Sequence, residues 1–119
     1  MHEKLNYVEF PCRNLEASKA FFHQVFGWTF TDHGPDYCSF AEQGLDGGFY
    51  RSELSAHVEQ GSALLVFYSH DLESTQTRIE AAGGRISKAI EDLPGGRRLQ
   101  FLDPSNNEWG VWSAAPPRH

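Results

Sequence analysis

The chain has 119 residues, 39% of them hydrophobic and including three Trp, four Tyr and nine Phe, enough to bury its own core without metal or disulfide staples. Its formal net charge is −6 and its largest basic cluster is the pair Arg97-Arg98, so neither nucleic acid nor an anionic membrane surface is an expected partner. No apolar run approaches the roughly 18 residues that cross a bilayer, and Met1-His2-Glu3-Lys4-Leu5 lacks the layout of a secretory signal, which makes cytoplasm the expected location.

Residues 5–12 alternate as a strand does, with Val8, Phe10 and Cys12 on one face and Leu5, Tyr7, Glu9 and Pro11 on the other. Asn14 then caps a helix with Glu16 in its first turn. Its inner stripe is Leu15, Ser18, Phe22 and Val25, with Phe21 and Phe26 beside it, and Gly27 ends it. Strands follow at 28–33 and 37–42 around the turn Gly34-Pro35-Asp36, then a short one at Gly47-Gly48-Phe49-Tyr50. Adjacent glycines in a strand mark a bulge or something close to the backbone. Residues 52–62 are polar and read as a mobile linker.

The pattern then returns. Asn14-Leu15-Glu16-Ala17-Ser18 has its counterpart in Asp71-Leu72-Glu73-Ser74-Thr75, again after an apolar strand (63–69) and again opening a helix. That helix has the stripe Leu72, Thr75, Ile79 and Ala82 and stops at Gly83-Gly84. Three strands, at 85–91, 97–102 and 108–112, are joined by Pro94-Gly95-Gly96 and by Asp103-Pro104-Ser105-Asn106-Asn107. A repeat of this kind points to two copies of one unit. The fold class is α+β, two tandem βαβββ modules in a single domain spanning 1–119: module one about 3–51, linker 52–62, module two about 63–113, and a tail at 114–119.

A strand, Asn/Asp-Leu-Glu opening a helix, and then Phe26-Gly27-Trp28 resemble the first module of the vicinal oxygen chelate superfamily, which includes glyoxalase I, bleomycin-resistance proteins and extradiol dioxygenases. Phe101-Leu102-Asp103-Pro104-Ser105-Asn106-Asn107-Glu108 resembles its closing hairpin, usually Asp-Pro-Asp-Gly-Asn. The resemblance implies the βαβββ fold and a divalent metal on four inward positions, typically His and Glu. Carried over, those positions fall on Tyr7, within Gly47 to Phe49, on Leu64 and on Gly110. Leu64 and Gly110 offer no ligand, so no metal or other cofactor is expected. Fold alone does not settle the chemistry, since the superfamily hosts isomerases, dioxygenases, transferases and plain binders.

By parity the cleft face carries Tyr7, Glu9, Leu64, Val66, Tyr68, Glu108 and Trp112, polar groups among apolar walls as in a small-molecule pocket. Glu9, or else Glu108, is the candidate general base; the competing reading has Glu9 bonded to Tyr7 or a neighbouring strand and Glu108 solvated at the hairpin mouth. Cys12 and Cys38 read as small buried apolar residues. His2, His23, His33, His57, His70 and His119 read as solvated, and Arg97-Arg98 as turn charges rather than an anion site.

The leading expectation is a metal-independent member of this superfamily holding a small organic molecule in an apolar, aromatic cleft. Whether it is an enzyme stays open. One alternative is a glyoxalase-type lyase or dioxygenase whose divalent metal uses relocated ligands, such as Glu9, Glu108 and a partner chain's histidine. Another is a sequestering protein without chemistry. One helix per module leaves part of each sheet uncovered, so a homodimer is expected.

Overall fold

The computed structural model describes residues 2–114, and the expected tail lies outside them from residue 115 onward. Module one comprises β1 (Tyr7–Cys12), α1 (Leu15–Phe26), β2 (Thr31–Asp32), β3 (Tyr37–Gln43) and β4 (Leu45–Arg51). Module two comprises β5 (Leu65–Tyr68), α2 (Leu72–Ala81), β6 (Arg85–Leu93), β7 (Gly96–Leu102) and β8 (Glu108–Ala114). Each forms a four-stranded sheet with the same order, β1-β4-β3-β2 and β5-β8-β7-β6. The first and last strands of each module are parallel neighbours, β1 with β4 and β5 with β8, and the remaining pairs are antiparallel. The α+β tandem repeat read from the sequence is the observed architecture.

The local signals act as expected. The Asn14 side chain accepts the Ala17 N–H and Asp71 accepts that of Ser74, both at 3.1 Å, each satisfying an otherwise orphaned helix donor. Gly27 closes α1 with a left-handed φ of 75°. The buried faces are Leu15, Ser18, Phe21, Phe22 and Val25 on α1 and Leu72, Thr75 and Ile79 on α2. Both cysteines are buried thiols in the core, and burial pushes the Cys38 thiol up to about 11.

The two modules share one aromatic core. Phe10 of β1 lies 4.4 Å from Trp109 of β8, and Phe26 of α1 stacks on Phe67 of β5 at 4.0 Å and 4°. Pairs of this kind contribute about 0.5–1.5 kcal/mol each beyond their burial. The expected strand at 28–33 shrinks to Thr31–Asp32 because the core claims its start: Trp28 stacks on Phe22 at 4.8 Å and meets Phe40 at 4.2 Å.

The linker is tied down rather than loose. The Ala56 N–H donates to Asn107 Oδ1 at 2.8 Å, the Ala56 carbonyl accepts the Glu108 N–H at 2.8 Å, and residues Val58–Gln60 form a short 3-10 turn.

Candidate functional site

Alternation along β1 sends Phe10 and Cys12 into the core and turns Tyr7 and Glu9 to the opposite, open face of the first sheet. Glu9 and Ser39 lie on either side of Gly48 of β4. A Cβ on Gly48 would collide with the Tyr37 hydroxyl end, and one on Gly47 with Phe40 and Val8. The glycine pair thus admits side chains from both neighbouring strands. Held there, Tyr37 donates its hydroxyl proton to Glu9 Oε2 at 2.9 Å and is hydrogen-bonded to the Tyr7 hydroxyl. Burial pushes the Tyr37 phenol up, and its bonds to Tyr7 and Glu9 push it further, well above the ordinary tyrosine range.

The open face of the second sheet is apolar. Leu64 and Val66 pack over Gly110, whose Cβ would meet Val66 Cγ2 at 3.2 Å and Leu64 Cδ2 at 3.3 Å. Tyr68 and Trp112 are opposite each other across β5 and β8, edge to face at 5.0 Å, and remain 49% and 38% exposed.

The structure therefore divides the residues expected to share a cleft. Tyr7 and Glu9 form one cluster; Leu64, Val66, Tyr68 and Trp112 form another on a different sheet. Glu108 belongs to neither. It is buried, and its carboxylate accepts the Val58 N–H at 3.0 Å, the Ser87 hydroxyl at 2.8 Å and the Gln100 amide at 3.0 Å. Burial pushes its pKa up, but those three donors outweigh it and hold the group below the usual carboxylate range. Glu108 is thus not the solvated carboxylate of the competing reading but a buried acceptor that fastens the linker. Glu9 is exposed rather than walled by apolar groups. Arg97, expected to be a solvated turn charge, makes a two-pronged pair with Glu73 of α2 at 2.6 and 2.9 Å.

A cavity of about 520 Å³ opens where β5 passes the β3–β4 turn. Its walls are Val8, Trp28, Phe40, Phe67 and Trp109 from the core side, Gln43 to Leu45 from the turn, and Leu65, Val66 and Tyr68 from β5. Only Val66 and Tyr68 belong to the set expected from parity. None of the others belongs to the parity set, because a gap between modules leaves no local signature in sequence. Tyr37 is absent from the parity set as well, although its alternation with buried Cys38 and Phe40 and the Gly47-Gly48 pair place it on the open face.

The four positions that hold metal in the resembling superfamily do not fit a cation here. They present one phenol, a glycine pair overlaid by Tyr37 and Phe40, a leucine, and a glycine packed beneath Val66. Among the described residues no three His, Cys, Asp or Glu side chains are grouped to hold an ion. Two histidines are engaged elsewhere, His23 Nδ1 with the Trp28 carbonyl at 2.9 Å and His33 Nε2 with Ser39 Oγ at 2.8 Å.

Tandem βαβββ modules with two open sheet faces define a class, and residues 4–111 match the family model described as Glyoxalase/Bleomycin resistance protein/Dioxygenase superfamily. The chain belongs to that superfamily. Among curated proteins it is similar to the anthracycline biosynthesis proteins DauV of Streptomyces sp. (strain C5), 28% identical over 117 residues, and DnrV of Streptomyces peucetius, 27% identical over 117 residues. Each match covers 83% of this chain but 42% of the relative, so the chain spans less than half the length of these proteins. Among solved structures it resembles a glyoxalase/bleomycin resistance protein/dioxygenase family enzyme from Burkholderia phytofirmans PsJN, with a TM-score of 0.79 at 22% identity, covering 94% of this chain and 99% of that one. It also resembles the fosfomycin resistance protein FosX from Listeria monocytogenes, with a TM-score of 0.78 at 17% identity, covering 97% and 96%. No helix among the described residues is long and apolar enough to cross a membrane.

Proposed function

We propose that this chain binds a small organic molecule without the help of a metal, holding its apolar body along β5. The observation that carries this reading is the cavity of about 520 Å³ walled by Trp28, Phe40, Phe67, Trp109 and Tyr68, within the roughly 300–1,000 Å³ typical of ligand pockets. Exposed Tyr68 of β5 and Trp112 of the neighbouring β8 form an aromatic surface beside it. Metal independence is supported by what stands at the superfamily's ligand positions, since no carboxylate or imidazole is present there to neutralise and orient a cation. The reading assigns binding and no bond-breaking step.

The test is a fluorescence titration with chelator present, using an anthracycline as first probe because the curated relatives are anthracycline biosynthesis proteins, followed by a panel of aromatic molecules. Saturable tryptophan quenching is expected. Trp28 and Trp109 line the cavity whereas Trp112 does not, so a Trp112→Phe variant locates the ligand. Quenching that survives the substitution places it in the cavity; quenching that disappears places it on the open face. Absence of saturable binding across the panel would sink the proposal. Elemental analysis should find well below one equivalent of zinc, nickel, manganese or iron, and chelation should not move the melting temperature; a stoichiometric metal would restore the metalloenzyme alternative.

Assembly is part of the same proposal. Both sheets bury one face in the shared core and leave the other open. Tyr7 and Tyr50 on the first and Val66, Tyr68 and Trp112 on the second are exposed. A second copy of the chain is the proposed cover.

A further inference from the structure

We infer that the Trp28 indole N–H is the hydrogen-bond donor inside the cavity, and that the ligand it selects is a neutral aromatic molecule bearing a carbonyl oxygen. The inference rests on the small-molecule reading above and states which chemical group of the ligand is read.

Trp28 engages both of its backbone groups locally. Its backbone N–H donates to the Phe22 carbonyl at 3.2 Å, and its own carbonyl accepts from His23 Nδ1 at 2.9 Å. The ring is held against Phe22 and Phe40, at 4.8 and 4.2 Å. Its indole N–H finds no acceptor among the described residues, unlike that of Trp109, which Asp103 Oδ2 takes at 3.0 Å. Yet among the described residues no buried side-chain nitrogen or oxygen is left without a partner. The Trp28 nitrogen therefore keeps accessible surface of its own, although the residue is only 3% exposed, and the open space that Trp28 lines is the cavity.

The rest of the lining sharpens the choice. Val8, Phe40, Leu65 and Phe67 are apolar, and the other polar side chains of the lining, Gln43 and Tyr68, are exposed, where water competes for them. No lining side chain is charged, so a ligand carboxylate or ammonium would lose its water without gaining an ion partner. An indole N–H donates and never accepts. A ligand hydroxyl brings a proton that no inner wall atom receives, whereas a ketone or quinone oxygen accepts and asks for nothing more. Leaving a buried donor unmet costs more than meeting it returns, which makes one N–H a discriminator in an otherwise apolar space. Because backbone and ring are both pinned, the donor is oriented before the ligand arrives.

The experiment titrates 1-indanone and indane, a pair in which a carbonyl replaces a methylene, into isotope-labelled protein at pH 7 and follows the indole N–H signals by NMR. Indane is the less hydrated of the two, so an apolar cavity without a donor would prefer it by about tenfold or more. Wild type should instead bind indanone at least as tightly, and indanone should draw the assigned Trp28 N–H proton downfield where indane does not. Trp28→Phe keeps an aromatic ring and removes the donor, and should move the ratio of the two affinities about tenfold towards indane, the worth of one well-made hydrogen bond. Should that variant fail to fold, the Trp28 signal of wild-type protein carries the test. A wild-type preference for indane of tenfold or more, a Trp28 N–H unmoved at saturation with indanone, or a ratio unchanged in Trp28→Phe overturns the donor while leaving the apolar site standing. Saturable binding of neither compound overturns the small-molecule reading, and the donor with it.

Discussion

At the scale of single residues, Asp103 shows how much one buried carboxylate can organise. Its Oδ2 accepts the Trp109 indole N–H at 3.0 Å, and its Oδ1 accepts the backbone N–H groups of Ser105 at 2.8 Å and Asn107 at 3.0 Å. Burial pushes its pKa up to about 6 against the opposition of those donors. Because the folded value lies above the unfolded one, the folded chain takes up this proton first as pH falls. The stabilising contribution is therefore fully present below about pH 4 and lost as pH rises through about 6, on the order of 3 kcal/mol. Glu108, held below the usual range, works in the opposite sense: its contribution is present above the unfolded pKa and disappears as pH falls through the folded one. Asp103→Asn keeps the Oδ1 acceptor but aims an amide donor at the Trp109 N–H. It should cost about 1–3 kcal/mol in urea denaturation near pH 4, with the cost shrinking towards pH 7; a cost that grew with pH would contradict the account. In sequence Asp103 shows as the first residue of the closing hairpin turn, with no sign of its burial. Its burial depends on Trp109 folding back over it, which no local pattern records.

Elements were legible wherever the cause is local. Caps at Asn14 and Asp71, glycine at Gly27, and the stripes of α1 and α2 act within a few residues of themselves, and the structure follows them. The shortened β2 and the pinned linker were not legible, because Trp28 answers to Phe40 and Val58 answers to Glu108, residues distant in the chain. The same limit explains why the expected cleft set divides: parity assigns a face to Tyr7 and to Trp112, but not which sheet faces which. Glu108→Ala tests the linker account. It strands the Val58 N–H, the Ser87 hydroxyl and the Gln100 amide together, and should cost about 2–4 kcal/mol by chemical denaturation. Probe affinity of the folded variant should stay at the wild-type value. A variant with wild-type stability would mean the linker is fastened elsewhere.

At the scale of the whole molecule, the shared core decides how the open faces can be used. Phe10, Phe26, Phe67 and Trp109 knit the modules together from the helix side, so the faces carrying Tyr7 and Trp112 both turn outward, where the proposed second copy would cover them. Closed two-fold dimers are the commonest way to do this. Sedimentation equilibrium at micromolar concentration should give the dimer mass, and Trp112→Glu, which places a charge in the proposed contact, should shift the equilibrium to monomer. A wild-type protein found only as monomer would end the dimer proposal.

The turn at 103–107 reaches well beyond its own hairpin. Ser105 Oγ accepts the Arg13 N–H at 3.0 Å, Asn107 Nδ2 donates to the Pro11 carbonyl at 2.6 Å, and Asn107 Oδ1 holds Ala56. A motif placed near the end of the chain thus closes the exit of its first strand. The duplication visible in the sequence is consequently not a duplication of autonomy. Residues 1–62 and 63–119, made separately, should each melt without cooperativity and regain it only when combined, because each half supplies acceptors or rings that the other lacks. Inheritance is coupled in the same way: a substitution in the last turn of module two would surface first as a defect in module one, and the two copies can diverge in sequence only as far as this shared joint permits.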